Sequence, residues 1–216
     1  MGPTFNVLNF IQNRKKILGA RLNYMSVAKE KGIPLPTEPV LFLKPTSSFI
    51  QEDKDIEIPP NYEVNHEVEL GVIIGKKGKN IPRDEVPNYI GGYCLALDLT
   101  AMNKLQEAWK QALPWTMSKS FDTACPVSKA ISRECLPCPD KVTLWLKVNG
   151  TMKQEGNTSD MVFPISDLVS YISKTITLEP YDVILTGTPA GVGPIKSGDT
   201  VCAGLNNLIS MKFLVK

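Results

Sequence analysis

The 216-residue chain is 43% hydrophobic and 21% charged, which supplies the core of one large domain or two small ones. A net charge of +2, with no basic cluster interleaved with aromatics, gives no support to a nucleic-acid binder, and no apolar run is long enough to span a bilayer. Five scattered cysteines, and nothing resembling a secretory signal, point to reduced thiols in the cytosol or an organelle matrix.

No acidic residue precedes Glu30, while Arg14, Lys15, Lys16, Arg21 and Lys29 are basic, a bias faintly like a mitochondrial presequence without its arginine and serine richness. The expected compartment is the mitochondrial matrix or the cytoplasm. Residues 1–16 read as an N-terminal segment with apolar Phe5, Val7, Leu8, Phe10 and Ile11, and Lys16-Ile17-Leu18 as the start of a strand. Leu22 to Lys31 has the spacing of a short helix, stopped by Gly32 with Pro34 beyond. Pro39 to Pro45 is expected as a short buried strand bracketed by prolines, followed by a polar loop to Pro60.

His66 to Gly75 is rich in strand formers, with Gly71 and Gly75 as punctuation. Strand side chains alternate between faces, so Glu67 and Glu69 share one face. His66, the only histidine, then joins Val68 and Leu70 on the other, as a structural or surface residue. Adjacent carboxylates repel and are costly to bury unless a cation lies between them. Oxygen-only ligands favour Mg²⁺, Mn²⁺ or Ca²⁺ over Zn²⁺. The alternative is the solvated edge of a half-buried strand, and a third ligand is needed to decide.

A turn from Lys76 to Asn80 and a short helix around Arg83 to Val86 precede an apolar strand from Tyr89, with a helix through Met102 to Ala112 after it. Asp98, at the strand end, reads either as a cap for that helix, a job Thr100 could share, or as the third carboxylate. Lys119 sits in a Pro/Trp/Phe-rich loop, either as a solvated stem or facing a substrate. Cys135-Leu-Pro-Cys138 imitates half of a zinc knuckle but has no second pair downstream. Val142 to Val148 is a strand, Asn149-Gly150 a hairpin turn, and Pro164 to Thr177 the longest helix, with apolar residues at helical spacing. Asp182 to Pro194 is a strand entering a Gly-rich turn able to aim N–H groups at an anion, and it fits neither the phosphate-loop nor the dinucleotide pattern. Strands at Thr200–Ala203 and Leu208–Val215 finish the chain. Without repeats, linkers or low-complexity tracts, residues 1–216 read as one β-rich domain.

Six stretches carry a resemblance: Pro39-Val-Leu-Phe-Leu-Lys-Pro45, Glu67-Val-Glu-Leu-Gly71, Gly91-Gly-Tyr-Cys-Leu-Ala-Leu-Asp-Leu-Thr-Ala101, Leu113-Pro-Trp-Thr-Met-Ser-Lys-Ser-Phe121, Leu144-Trp-Leu-Lys-Val-Asn-Gly150 and Ile184-Leu-Thr-Gly-Thr-Pro-Ala-Gly-Val-Gly-Pro194. Together they resemble the fumarylacetoacetate hydrolase family over nearly the whole chain, nearest its small acylpyruvases and oxaloacetate decarboxylases or tautomerases. The resemblance implies an α+β, β-rich fold: a mixed β-roll with short helices, forming a single catalytic domain and a homodimer. It also implies Mg²⁺ or Mn²⁺ on Glu67, Glu69 and Asp98, an active-site lysine at Lys119, and Thr188 as the threonine that receives the substrate carboxylate. The implied substrate is a small 2-oxo acid, with neither nucleic acid nor membrane as partner. Oxaloacetate would be tautomerised or decarboxylated, or a short acylpyruvate hydrolysed at a C–C bond, through a metal-stabilised enolate.

The departures concern the mobile lid. Similar proteins carry Gly-Arg-Asn-Tyr-x-x-His followed by a glutamate, a His-Glu dyad that activates water. Here Arg21-Leu22-Asn23-Tyr24-Met25-Ser26 leads to Val27 in the histidine position, with Glu30 kept. The family's usual arginine and glutamine after Asp98 appear as Met102 and Leu105. The leading expectation is therefore a metal-dependent enzyme for oxaloacetate or a short acylpyruvate. The alternative is a degenerate relative that binds metal and dicarboxylate without efficient turnover, in a binding or regulatory role.

Overall fold

Runs of β-branched and apolar residues, cut short by glycine and proline, make this chain a set of brief strands with few helices. The computed structural model describes residues 5–216; residues 1–4 of the N-terminal segment lie outside the described residues. In chain order the first half contributes β1 (Ile17–Arg21), α1 (Met25–Lys31), β2 (Val40–Lys44), β3 (Phe49–Ile50), β4 (Val64–His66), β5 (Val68–Ile74), β6 (Ile90–Leu97), β7 (Thr100–Ala101), α2 (Met102–Lys110) and α3 (Thr116–Lys119). The second half adds β8 (Cys125–Pro126), β9 (Ile131–Ser132), β10 (Thr143–Val148), β11 (Thr151–Asn157), α4 (Ile165–Thr175), β12 (Val183–Leu185), β13 (Gly193–Ile195), β14 (Thr200–Leu205) and β15 (Ile209–Leu214).

A six-stranded mixed sheet in the order β2-β1-β12-β5-β6-β9 forms the centre, with β1 and β12 parallel and the other pairs antiparallel. A four-stranded antiparallel sheet, β11-β10-β14-β15, alternates along β10 so that Leu144, Leu146 and Val148 are buried. Its hairpin turns at Asn149 and Gly150, with φ of 51° and 80°, the pair of positive angles that a tight two-residue turn requires. Helix α4 buries Ile165, Leu168, Val169 and Ile172, the stripe that its spacing predicts. No helix among the described residues is long and apolar enough to cross a membrane.

Four local expectations are corrected. β5 is not the edge of a half-buried strand: every residue from Val68 to Ile74 is buried, because β12 and β6 flank it in the sheet and the core covers its faces. β2 is not buried throughout. As the outer strand of its sheet it alternates, with Phe42 and Lys44 inside and Leu43 exposed. The residue before α2 is Ala101, without a side-chain cap, so neither Asp98 nor Thr100 caps that helix. Lys119 closes the short helix α3 instead of standing in a loop.

Candidate active site

The centre of the six-stranded sheet brings three carboxylates together. Glu67 sits in the break between β4 and β5, Glu69 follows on β5, and Asp98 comes just after β6. Pairing of β5 with β6 continues one step past the ladder, where the Asp98 N–H donates to Glu67 O at 2.8 Å. One oxygen from each side chain lies within 4.8 Å of the others. Glu69 Oε2 accepts the Gly187 N–H at 2.6 Å. Gly187 has a φ of 98°, and a Cβ there would meet the Asn23 Cβ at 2.8 Å, so the turn after β12 needs glycine to bring its amide to Glu69.

Two buried ammonium groups face these carboxylates. Lys119 Nζ pairs with Asp98 Oδ2, reaches Glu67 Oε2 at 3.4 Å, and donates to Thr100 Oγ1 at 2.6 Å. Thr100 in turn donates to Glu67 Oε1 at 2.7 Å, so one hydroxyl couples the lysine to the glutamate. Lys44, fully buried at the end of β2, pairs with Asp98 Oδ1 at 2.7 Å and donates to Leu99 O at 3.0 Å. Burial alone would lower the Lys119 pKa, but Asp98 and Glu67 outweigh it and hold the group up to about 12. Lys44 is drawn down, chiefly by burial, with Asp98 opposing. Burial works to raise Asp98, yet Lys119 and Lys44 keep it below the ordinary carboxylate value. Glu69 is pushed well above that value by burial, then by Asp98 and Glu67. Glu67 rises for the same first reason, against the pull of Lys119.

Three carboxylates against two lysines leave the cluster one positive charge short, and Glu69 carries the shortfall. A hard divalent cation fits that donor set: the ligands are all oxygen, close together and largely buried.

A cavity of about 330 Å³ opens onto the triad and Lys119, and Arg21, Val27, Glu30, Met102, Leu105 and Thr188 also line it. Thr188 is already engaged: its hydroxyl donates to Val68 O at 2.8 Å and accepts from Gln154 Nε2 at 2.8 Å. Glu30 is exposed, and Val27, three residues earlier on α1, is buried in the core. His66 is buried and is absent from the cavity lining, its Nδ1–H donating to Gln154 Oε1 at 2.9 Å.

Lys44 and Gln154 were not singled out from the sequence. The only signal for Lys44 is its phase with Phe42 across the alternation of β2, inside a run too uniformly apolar to show a period. Gln154 carries no local signal; its amide joins His66 and Val68 to Thr188 and Pro189, two stretches of chain far from its own.

The model of the fumarylacetoacetate (FAA) hydrolase C-terminal family matches residues 16–216. The chain is 46% identical over 217 residues to the mitochondrial oxaloacetate tautomerase FAHD1 of Mus musculus, covering 100% of this chain and 98% of the relative. It is 45% identical over 201 residues to the mitochondrial oxaloacetate decarboxylase of Dictyostelium discoideum, covering 92% of each. A crystal structure of a fumarylacetoacetate hydrolase family protein from Yersinia pestis CO92 superposes with a TM-score of 0.89 at 38% identity, covering 94% of both chains.

Proposed function

The chain belongs to the fumarylacetoacetate hydrolase family, and on that premise we propose that it acts on oxaloacetate, by tautomerisation or decarboxylation, with a divalent cation. The observation that carries the choice over acylpyruvate hydrolysis is the cavity wall outside the triad. Val27, Met102 and Leu105 line it with hydrocarbon, and no histidine lines it among the described residues. Tautomerisation moves one proton between C3 and the carbonyl oxygen. Decarboxylation releases CO₂ and returns one proton to carbon. Neither needs an activated water.

Glu67, Glu69 and Asp98 would hold Mg²⁺ or Mn²⁺, which when bound polarises the carbonyl of a 2-oxo acid and lowers the cost of enolising it. Lys119, kept as an ammonium by Asp98 and Glu67, supplies positive charge or a proton where oxygen gains charge. Thr100 holds Lys119 and Glu67 in register. Thr188 meets a substrate carboxylate by turning its hydroxyl away from Val68 O. Glu30, the only carboxylate among the described residues that lines the cavity outside the triad, is the proposed proton carrier at carbon.

A single catalytic domain spanning residues 1–216 and association into a homodimer belong to the same proposal. Exposed Leu43 and Met117, on β2 and α3, which pack together, support the second. The relatives' names, which include "mitochondrial", support the mitochondrial matrix over the cytoplasm.

The hydrocarbon wall also favours a second reading, binding of metal and dicarboxylate without efficient turnover. Ketonisation and decarboxylation of oxaloacetate, followed with Mg²⁺ and with Mn²⁺ against Glu69→Ala as the blank, separate the two. Turnover above the blank is expected. Rates equal to the blank with both metals would reject the enzyme in favour of the binding protein.

A further inference from the structure

Arg21 is a cation in the same cavity that the triad and Lys119 leave unused. It ends β1, and the chain turns sharply after it, since Leu22 has a φ of 55°, a conformation that side chains with a Cβ rarely adopt. Buried Asn23 pins that turn. Its Nδ2 donates to Phe163 O at 3.0 Å and Thr186 O at 2.9 Å, and its Oδ1 accepts the Phe163 N–H at 2.8 Å.

The guanidinium lies 5.2 Å from the Trp109 ring centroid and 5.6 Å from that of Trp115. The two indoles stand nearly edge to face, with 79° between their planes. Cation–π contact is an attraction between the charge and the ring and does not by itself take any of the five guanidinium N–H donors as a hydrogen bond would. The tryptophans thus hold and partly dehydrate the charge without using its hydrogen bonds. No ion pair among the described residues engages Arg21, although Glu30 lines the same cavity. A fixed, half-buried cation with free donors in a largely apolar cavity is a receptor for a carboxylate.

We propose that Arg21 binds the second carboxylate of the substrate and selects a dicarboxylate over a monocarboxylate of equal length. The proposal rests on reading the triad as the end that takes the 2-oxo acid group. Lys31, exposed where it lines the cavity, is the competing cation.

L-Malate and 2-hydroxybutyrate test the assignment. They present the same 2-hydroxy acid end to a divalent cation, differ at the far end by carboxylate against methyl, and carry no carbonyl to enolise. Titration calorimetry with Mg²⁺ present is expected to give L-malate about tenfold to a hundredfold tighter binding, the range of one charge-assisted contact. Arg21→Gln should remove that preference and leave 2-hydroxybutyrate unchanged, Arg21→Lys should keep part of it, and Lys31→Gln should keep all of it. An unaltered Mg²⁺-induced melting shift in Arg21→Gln shows that fold and metal site survive. A preference that persists in Arg21→Gln, that is lost in Lys31→Gln, or that is absent from the unmodified protein, including failure to bind either acid, overturns the proposal. Because neither acid is turned over, oxaloacetate turnover against the Glu69→Ala blank is judged separately.

Discussion

Lys44 Nζ lies 2.7 Å from Asp98 Oδ1, and both side chains are shut away from solvent. The other oxygen of Asp98 is taken by Lys119, so one carboxylate is shared between two buried ammonium groups. Removing one partner of a buried pair commonly costs ~3–5 kcal/mol, because the charge left behind has lost its compensation. Lys119 remains for Asp98, which puts Lys44→Met near the lower end. In a protein of this size each kcal/mol moves the melting temperature by ~2–4 °C. The metal-free variant should therefore melt roughly 6–12 °C lower. It should also show a larger Mg²⁺-induced shift than the unmodified protein, since one repelling positive charge has gone. A smaller shift would mean that Lys44 shapes the triad more than it charges it.

The triad makes its own prediction. Mg²⁺ or Mn²⁺ at about a hundred times its dissociation constant should stabilise the folded chain by ~2.7 kcal/mol through mass action. Glu67→Ala or Asp98→Ala should abolish the shift, as read by thermal denaturation with and without metal. Asp98→Ala must be compared with its own metal-free melting curve, because it also strands Lys44. A full shift in both variants would remove these carboxylates from the metal site.

The triad was legible because its signal is local in two of its parts. Glu67 and Glu69 are two apart at the start of β5, and Asp98 directly follows β6, the strand that pairs with it. The positive side of the site was only half legible. Lys119 is marked by a motif, whereas Lys44 is one residue of the short strand between Pro39 and Pro45 with nothing local to set it apart. Its burial is decided by contact with Asp98 and Leu99, residues more than fifty positions away. The Arg21 clamp was hidden for the same reason, since Trp109 and Trp115 come from the far side of the chain. Periodicity reveals which face of an element is apolar, and does not reveal which distant side chain will meet it.

His66 should titrate below the ordinary imidazole value of 6.5, because burial disfavours its charged form more than Gln154 supports it. Above pH 6.5 both folded and unfolded states hold a neutral ring, and the group contributes no slope. As pH falls through 6.5 the unfolded chain takes a proton that the folded one refuses, so this group's contribution to stability is lost between 6.5 and the lower folded value. With a single histidine in the chain, its ring resonances can be followed by NMR without assignment. A midpoint at or above 6.5 would contradict the buried, neutral ring.

Thiol reactivity should divide the cysteines by place. Cys135 and Cys138 are exposed, while Cys94 and Cys125 are buried. Burial pushes the Cys94 thiol up to about 12 and raises Cys125 well above the ordinary value. A thiol reagent at neutral pH should modify the exposed pair quickly and the buried pair only on unfolding, since the thiolate is the reactive form. Mass mapping of early labelling at Cys94 or Cys125 would show that the sheet centre opens far more readily than its packing suggests.

The last prediction concerns what Val27 forbids. Hydrolysing an acylpyruvate requires a group to take a proton from water, and loss of a general base commonly costs ~10²–10⁴ in rate. Val27 lines the cavity with hydrocarbon, and the only imidazole is buried against Gln154. Acetylpyruvate hydrolysis should therefore be nearly lost in the unmodified protein while oxaloacetate turnover persists. Val27→His would set an imidazole three residues before Glu30 on α1, the helical spacing at which two side chains meet, so the carboxylate could orient the ring. Hydrolysis should then rise while oxaloacetate turnover stays level. The replacement enlarges a core position, so a lower melting temperature is expected with it. That cost affects both reactions alike, and the ratio of the two rates is the quantity to read. Acetylpyruvate hydrolysis in the unmodified protein as fast as oxaloacetate turnover would mean that another group activates water, with exposed Glu30 the first to test by Glu30→Gln.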